Sequence, residues 1–72
     1  MLECRIERKL RDFGMTQREL SQRAGTTPQS LYAWMNGKSV PSLEAAFKIA
    51  AVFKCSIEDI WSYKEEKEHQ TS

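Results

Sequence analysis

Two helix-start signals eleven residues apart, with a glycine between them, constrain this chain more than any other feature. Thr16, followed three residues later by Glu19, reads as a capping box: the hydroxyl accepts the N3 amide and the carboxylate accepts the amide of the cap. Leu20 and Ala24, four apart, fall on one buried face of the helix that follows. Gly25 takes the position just past the helix end, where a left-handed backbone costs a glycine little. Thr27 is the second N-cap, and Pro28 fills the first helical position, where its missing N–H has no partner to lose. Leu31, Trp34 and Met35 form the apolar stripe of the second helix, and Gly37 ends it.

This spacing is that of a helix-turn-helix. Ser21 and Ala24 are small where the second helix crosses the first. Pro28, Gln29, Tyr32, Ala33 and Asn36 form the outer stripe of the second helix, and none is charged. A merely solvated face more often carries Glu and Lys. A neutral face of amides and methyl groups suits the floor of a DNA major groove, with basic groups around it for phosphates.

The chain resembles the repressor-type helix-turn-helix proteins, the lambdoid phage repressor and Cro group with its many small bacterial relatives. The resemblance is carried by GMTQREL (14–20), AGTTPQSL (24–31), NGK (36–38), PSLEAAFKIAAVF (41–53) and CSIEDIW (55–61). It implies an all-α fold, a compact five-helix domain over residues 1–61 with the helix-turn-helix at its second and third helices. It also implies sequence-specific binding of double-stranded DNA, with the third helix in the major groove. On this reading Gln17 meets a phosphate at the start of the second helix, and Arg18 is a further phosphate contact. Thr27, Pro28 and Gln29 reach the groove. Gln29 pairs with adenine N6 and N7 or donates to guanine acceptors. Pro28 and Ala33 offer only apolar contact, Tyr32 assists, and Asn36, the nearby backbone amides and Lys38 hold a phosphate of the far strand. One departure from the group is informative. Many relatives pair an Arg in helix 1 with a Glu in helix 3, and the two positions here are Leu10 and Met35. Both partners are apolar together, an exchange that is often neutral or stabilising.

The chain has 72 residues and a net charge of +1, which alone does not suggest nucleic acid. Residues 1–41, however, hold seven Lys and Arg against four acids, and residues 42–72 hold four Lys against six acids. The asymmetry orients the chain on a polyanion, and its modest size implies that one subunit binds weakly. A homodimer, weak in solution and favoured on DNA, is therefore expected, and the resemblance implies that the end of helix 4 and helix 5 form it, with Phe53, Trp61 and Tyr63 as contacts. For Trp61 the competing expectation is that it closes the bottom of the core.

Helix 1 is read over about Leu2–Phe13, with Leu2, Ile6, Leu10 and Phe13 facing the core. Helix 4 follows Ser42 and carries Leu43, Ala46, Phe47, Ala50 and Phe53 on one stripe. Ser56 caps a short fifth helix, and residues 62–72 form a polar tail. No strand pattern is evident. Cys4 and Cys55 read as reduced thiols, Cys55 buried as a small hydrophobe. The single histidine, His69, has no ligand-like spacing, so neither metal nor other cofactor is expected, and no small-molecule site is evident. No apolar run approaches a membrane span and the N-terminus lacks a signal-peptide core, so a cytoplasmic, nucleoid-associated location is expected. No Ser/His/Asp or Cys/His set and no phosphate-binding Gly loop supports an enzyme. The runner-up reading is an antitoxin or protein-interaction module that retains the fold.

Overall fold

The computed structural model describes residues 2–64, and the greater part of the polar tail lies outside the described residues. Four α-helices run α1 (Ile6–Phe13), α2 (Gln17–Ala24), α3 (Pro28–Met35) and α4 (Leu43–Val52). They are framed by two short strands, β1 (Leu2–Cys4) and β2 (Trp61–Tyr63), which pair antiparallel with Leu2 opposite Tyr63 and Cys4 opposite Trp61. A single 3-10 turn covers Ile57–Asp59. The domain is thus mostly helical, with four helices and a small sheet in place of the expected all-α set of five.

The helices start where the caps place them. Thr16 accepts from the Glu19 amide at 3.1 Å while the Glu19 carboxylate accepts from the Thr16 amide at 3.0 Å, completing the capping box. Thr27 and Ser42 cap α3 and α4 in the same way, through the amides of Ser30 and Ala45. Removing the box hydroxyl with Thr16→Ala should lower stability by about 1 kcal/mol, read as a shift in the urea midpoint at unchanged slope.

The helices also stop alike. At each C-terminus an amide reaches back five residues to a carbonyl, from Met15 to Leu10, Thr26 to Ser21, Lys38 to Ala33 and Cys55 to Ala50. This closure needs a left-handed residue just past the helix. Gly14, Gly25 and Gly37 supply it three times, and Lys54, at φ 55°, supplies it the fourth.

The core is Ile6, Leu10, Leu20, Ala24, Leu31, Ala46, Ile49, Ala50, Phe53, Ile60 and Trp61, with Met35 packed against it from the side. Ser21 is buried among them and satisfies its hydroxyl on the Arg18 carbonyl at 2.8 Å. Its small side chain sits on α2, which packs on both α3 and α4.

Several expected positions are corrected. Leu2 belongs to a strand and is half exposed, not a core residue of α1. The chain turns there because the amide of Arg5 donates to the Ile60 carbonyl at 2.7 Å and the Arg5 guanidinium to the Ser62 hydroxyl at 2.9 Å. Glu3 lies beside both basic neighbours, 3.6 Å from Arg5 and 3.4 Å from Lys64. Phe13 is exposed on one side, its ring set edge-on to Phe53 at 5.2 Å between centroids. Leu43 and Phe47 are exposed, and Ile49 takes the core position instead. Cys55 is only half-buried. The expected fifth helix is one 3-10 turn whose start is tied by the Asp59 carboxylate, which accepts from the Ser56 amide and hydroxyl at 3.0 Å. Those bonds hold the Asp59 carboxyl below its usual range.

Candidate nucleic-acid interface

α3 is anchored on one side only. Leu31 is fully buried, and Trp34 and Met35 lean on the core. The opposite stripe stands clear: Pro28, Gln29, Tyr32 and Asn36 are exposed, and Ala33 is half-buried beside them. Gln29 has no hydrogen-bond partner among the described residues, so its amide donor and acceptor both face outward. Thr27 is exposed, but its hydroxyl is engaged as the cap, donating to Ser30 Oγ at 3.0 Å and accepting from the Ser30 amide at 3.1 Å. What it offers outward is its methyl group.

Two cations lie beside this stripe: Arg18 shares a concavity with Pro28, and Lys38 follows the end of α3; both are exposed and neither is in an ion pair among the described residues. The ion pairs of the described residues lie elsewhere, two at the paired strands β1 and β2 and one along α4 between Glu44 and Lys48. The field beside α2 and α3 is therefore not cancelled by local carboxylates, apart from Glu19, whose charge is turned into the α2 cap.

Gln17 opens α2 and is exposed. It lines an open depression with Arg18, Ser21, Gln22, Thr26 and Pro28, so the structure brings the start of α2 and the start of α3 to one concavity. Gln22 and Thr26 are absent from the residues singled out in sequence. The signal for Gln22 was present, an exposed amide one turn beyond Arg18 on the same face.

The far end of α3 is partly engaged within the chain. The Asn36 side-chain amide donates to the Tyr32 carbonyl at 2.8 Å, and Lys38 and Gly37 give their backbone amides to Ala33 and Trp34. Those two backbone donors already close the helix. Of this segment, the Lys38 ammonium is the cation that remains.

Of the residues expected at a dimer contact, Phe53 is 2% and Trp61 6% exposed, both inside the single chain's own core. Phe53 presents almost no surface to a partner, and Trp61 only the edge that lines the depression beside Leu2 and Val40. Tyr63, at 71%, does present one. Trp61 closes the bottom of the core, because pairing of β2 with β1 turns it inward beside Cys4. The same burial pushes the Cys4 thiol above its ordinary pKa. No group of three His, Cys, Asp or Glu is placed to hold a metal among the described residues. No described helix is long and apolar enough to cross a membrane.

The capped α2–turn–α3 pair, seated on α4 with one face of α3 left open, defines a helix-turn-helix protein. The chain belongs to the helix-turn-helix family, whose model matches residues 6–60. It is 41% identical over 66 residues to an uncharacterized HTH-type transcriptional regulator of Archaeoglobus fulgidus, covering 92% of this chain and 93% of that one. A regulator of the same description from Methanocaldococcus jannaschii is 42% identical over 53 residues, covering 74% and 80%. The similarly described YgzD of Bacillus subtilis is 39% identical over 54 residues, covering 75% and 82%. The likeness thus extends to archaea as well as bacteria.

Proposed function

We propose that the protein is a sequence-specific double-stranded DNA-binding transcriptional regulator, most simply a repressor, that inserts α3 into the major groove and acts as a homodimer. The observation that carries this reading is the open, uncharged stripe of α3, with Arg18 in the concavity at its start and Lys38 just past its end, neither in an ion pair among the described residues. The relatives described as transcriptional regulators support it. Gln29 is the principal base reader, Pro28, Ala33 and the Thr27 methyl make apolar contact, and Tyr32 flanks them. Gln17, Arg18 and Lys38 hold phosphates. A code this thin leaves part of the specificity to DNA shape and to the spacing of two copies.

Selection of bound duplexes from a random pool, at stated salt, tests the proposal. A two-fold symmetric motif with half-sites about one helical turn, ~34 Å, apart is expected. Lys38→Ala should then weaken specific and random DNA alike and reduce the steepness of the salt dependence by about one. Absence of any enriched motif, together with a stable complex with a neighbouring gene product, would favour the protein-interaction reading instead.

A further inference from the structure

Trp34 and Met35, the residues by which the end of α3 leans on the core, also border a cleft. Cys4 and Trp61, paired across β1 and β2, line it from the other side. The exposed side chains of Asn36 and Ser39 stand at its rim. The lining thus gathers residues from the start, the middle and the end of the described chain, and the strand pairing is what brings them together. The cleft has a volume of about 520 Å³, within the roughly 300–1,000 Å³ typical of small-molecule sites.

We propose that this cleft binds a small, uncharged aromatic molecule bearing an N–H donor, of the aryl carboxamide class, and that its occupancy tightens DNA binding. The binding site stands on the cleft itself, and only its effect on DNA rests on the reading of α3 given above.

The lining defines the ligand. Two indoles, a thioether and a thiol form a polarisable surface that favours a flat ring. The lining holds no basic side chain and no carboxylate. Burial pushes the Cys4 thiol above its ordinary pKa, so it too is neutral near pH 7. A charged ligand group would lose its water there without gaining a partner. The polar atoms select a carboxamide. Asn36 gives its side-chain N–H to the Tyr32 carbonyl at 2.8 Å, and its side-chain oxygen has no donor among the described residues. The Ser39 hydroxyl has no hydrogen-bond partner among them either. A ligand N–H can donate to the Asn36 oxygen while the ligand carbonyl accepts from Ser39. The negative end of the α3 dipole also favours a donor over an anion. Gly37, Ser39 and Pro41 tie the cleft to the linker that carries Lys38. A molecule filling the cleft stabilises this arrangement of α3 and its linker, and raises the share of chains that adopt it.

Trp34 and Trp61 are the two tryptophans of the chain and both line the cleft, so intrinsic fluorescence reads its occupancy. Benzamide is the probe. It should change the emission saturably, with a dissociation constant of about 1 mM for a ligand of its size. Toluene, which lacks the amide, and benzoate, which is charged, should each bind roughly tenfold more weakly or worse. Ser39→Ala should weaken benzamide about fivefold, with helix content unchanged by circular dichroism. Labelling with N-ethylmaleimide, read by peptide mass spectrometry, gives a second measure. Saturating benzamide should slow modification of Cys4 and leave Cys55, which is not part of the lining, unchanged. A linear response without saturation, equal binding of toluene or benzoate, Ser39→Ala binding like wild type, or equal protection of both cysteines would each overturn the site. A separate arm concerns DNA. Saturating benzamide should tighten binding of the wild type to its selected duplex about fivefold or more. A filled cleft with unchanged DNA affinity would overturn the coupling. Failure of the wild type on every duplex would remove the DNA reading and leave the fluorescence and labelling results standing.

Discussion

Ile49→Ala is expected to lower the free energy of unfolding by about 2–5 kcal/mol, since its side chain is wholly buried and the α4 backbone cannot close the space left behind. Small domains hold roughly 0.05–0.15 kcal/mol per residue, so the loss is a large share of what this chain has. Urea unfolding followed by circular dichroism would show it as a lower midpoint with an unchanged slope. A loss below about 1 kcal/mol would mean that Ile49 is not packed as described. The effect is large because the core has few members. Three of its eleven are alanines, which contribute close fit between helices more than apolar area.

Gln29→Ala should cost about 1–3 kcal/mol on the selected DNA site and little on random DNA. Gln29 is the one exposed amide on the α3 stripe that is not already bonded within the protein, for Asn36 is committed to the Tyr32 carbonyl. Competition titrations at fixed salt distinguish the outcomes. Equal losses on both DNAs would show that Gln29 touches no base.

The helix-turn-helix was legible because its information is local. Thr16, Glu19, Gly25, Thr27, Pro28 and Gly37 each act within a few residues of their own position, and the structure places caps and ends where they fall. The outer stripe of α3 was legible for the same reason. What sequence could not show was set by distant partners. Leu2, Ile6 and Leu10 sit at helical spacing, yet Leu2 and Cys4 also alternate as a strand does, and the choice was made by Trp61–Tyr63. The same pairing turned Trp61 inward and left it nearly buried. On α4 the stripe through Leu43 and Phe47 is as apolar as the one through Ala46, Ile49 and Ala50. Only the position of α2 decides which is covered. At the end of α3, Asn36 has the chemistry of a phosphate contact, and its use as a helix closure depends on geometry that composition does not record.

The pairing of β1 with β2 also sets the order in which the chain can fold as it is made. β1 is translated before the whole helical body and its partner after it. Contacts of such separation form late, whereas the α2–α3 pair relies on neighbours close in the chain. A nascent chain can thus assemble its helix-turn-helix while Leu2–Cys4 remains unpaired and the core still lacks Ile60 and Trp61. Ile6 and Leu10 are then without part of their final cover until translation has passed β2. A message cut short before Trp61 would yield a chain with its capped helices in place and its core open, a substrate for proteases more than a competitor for DNA.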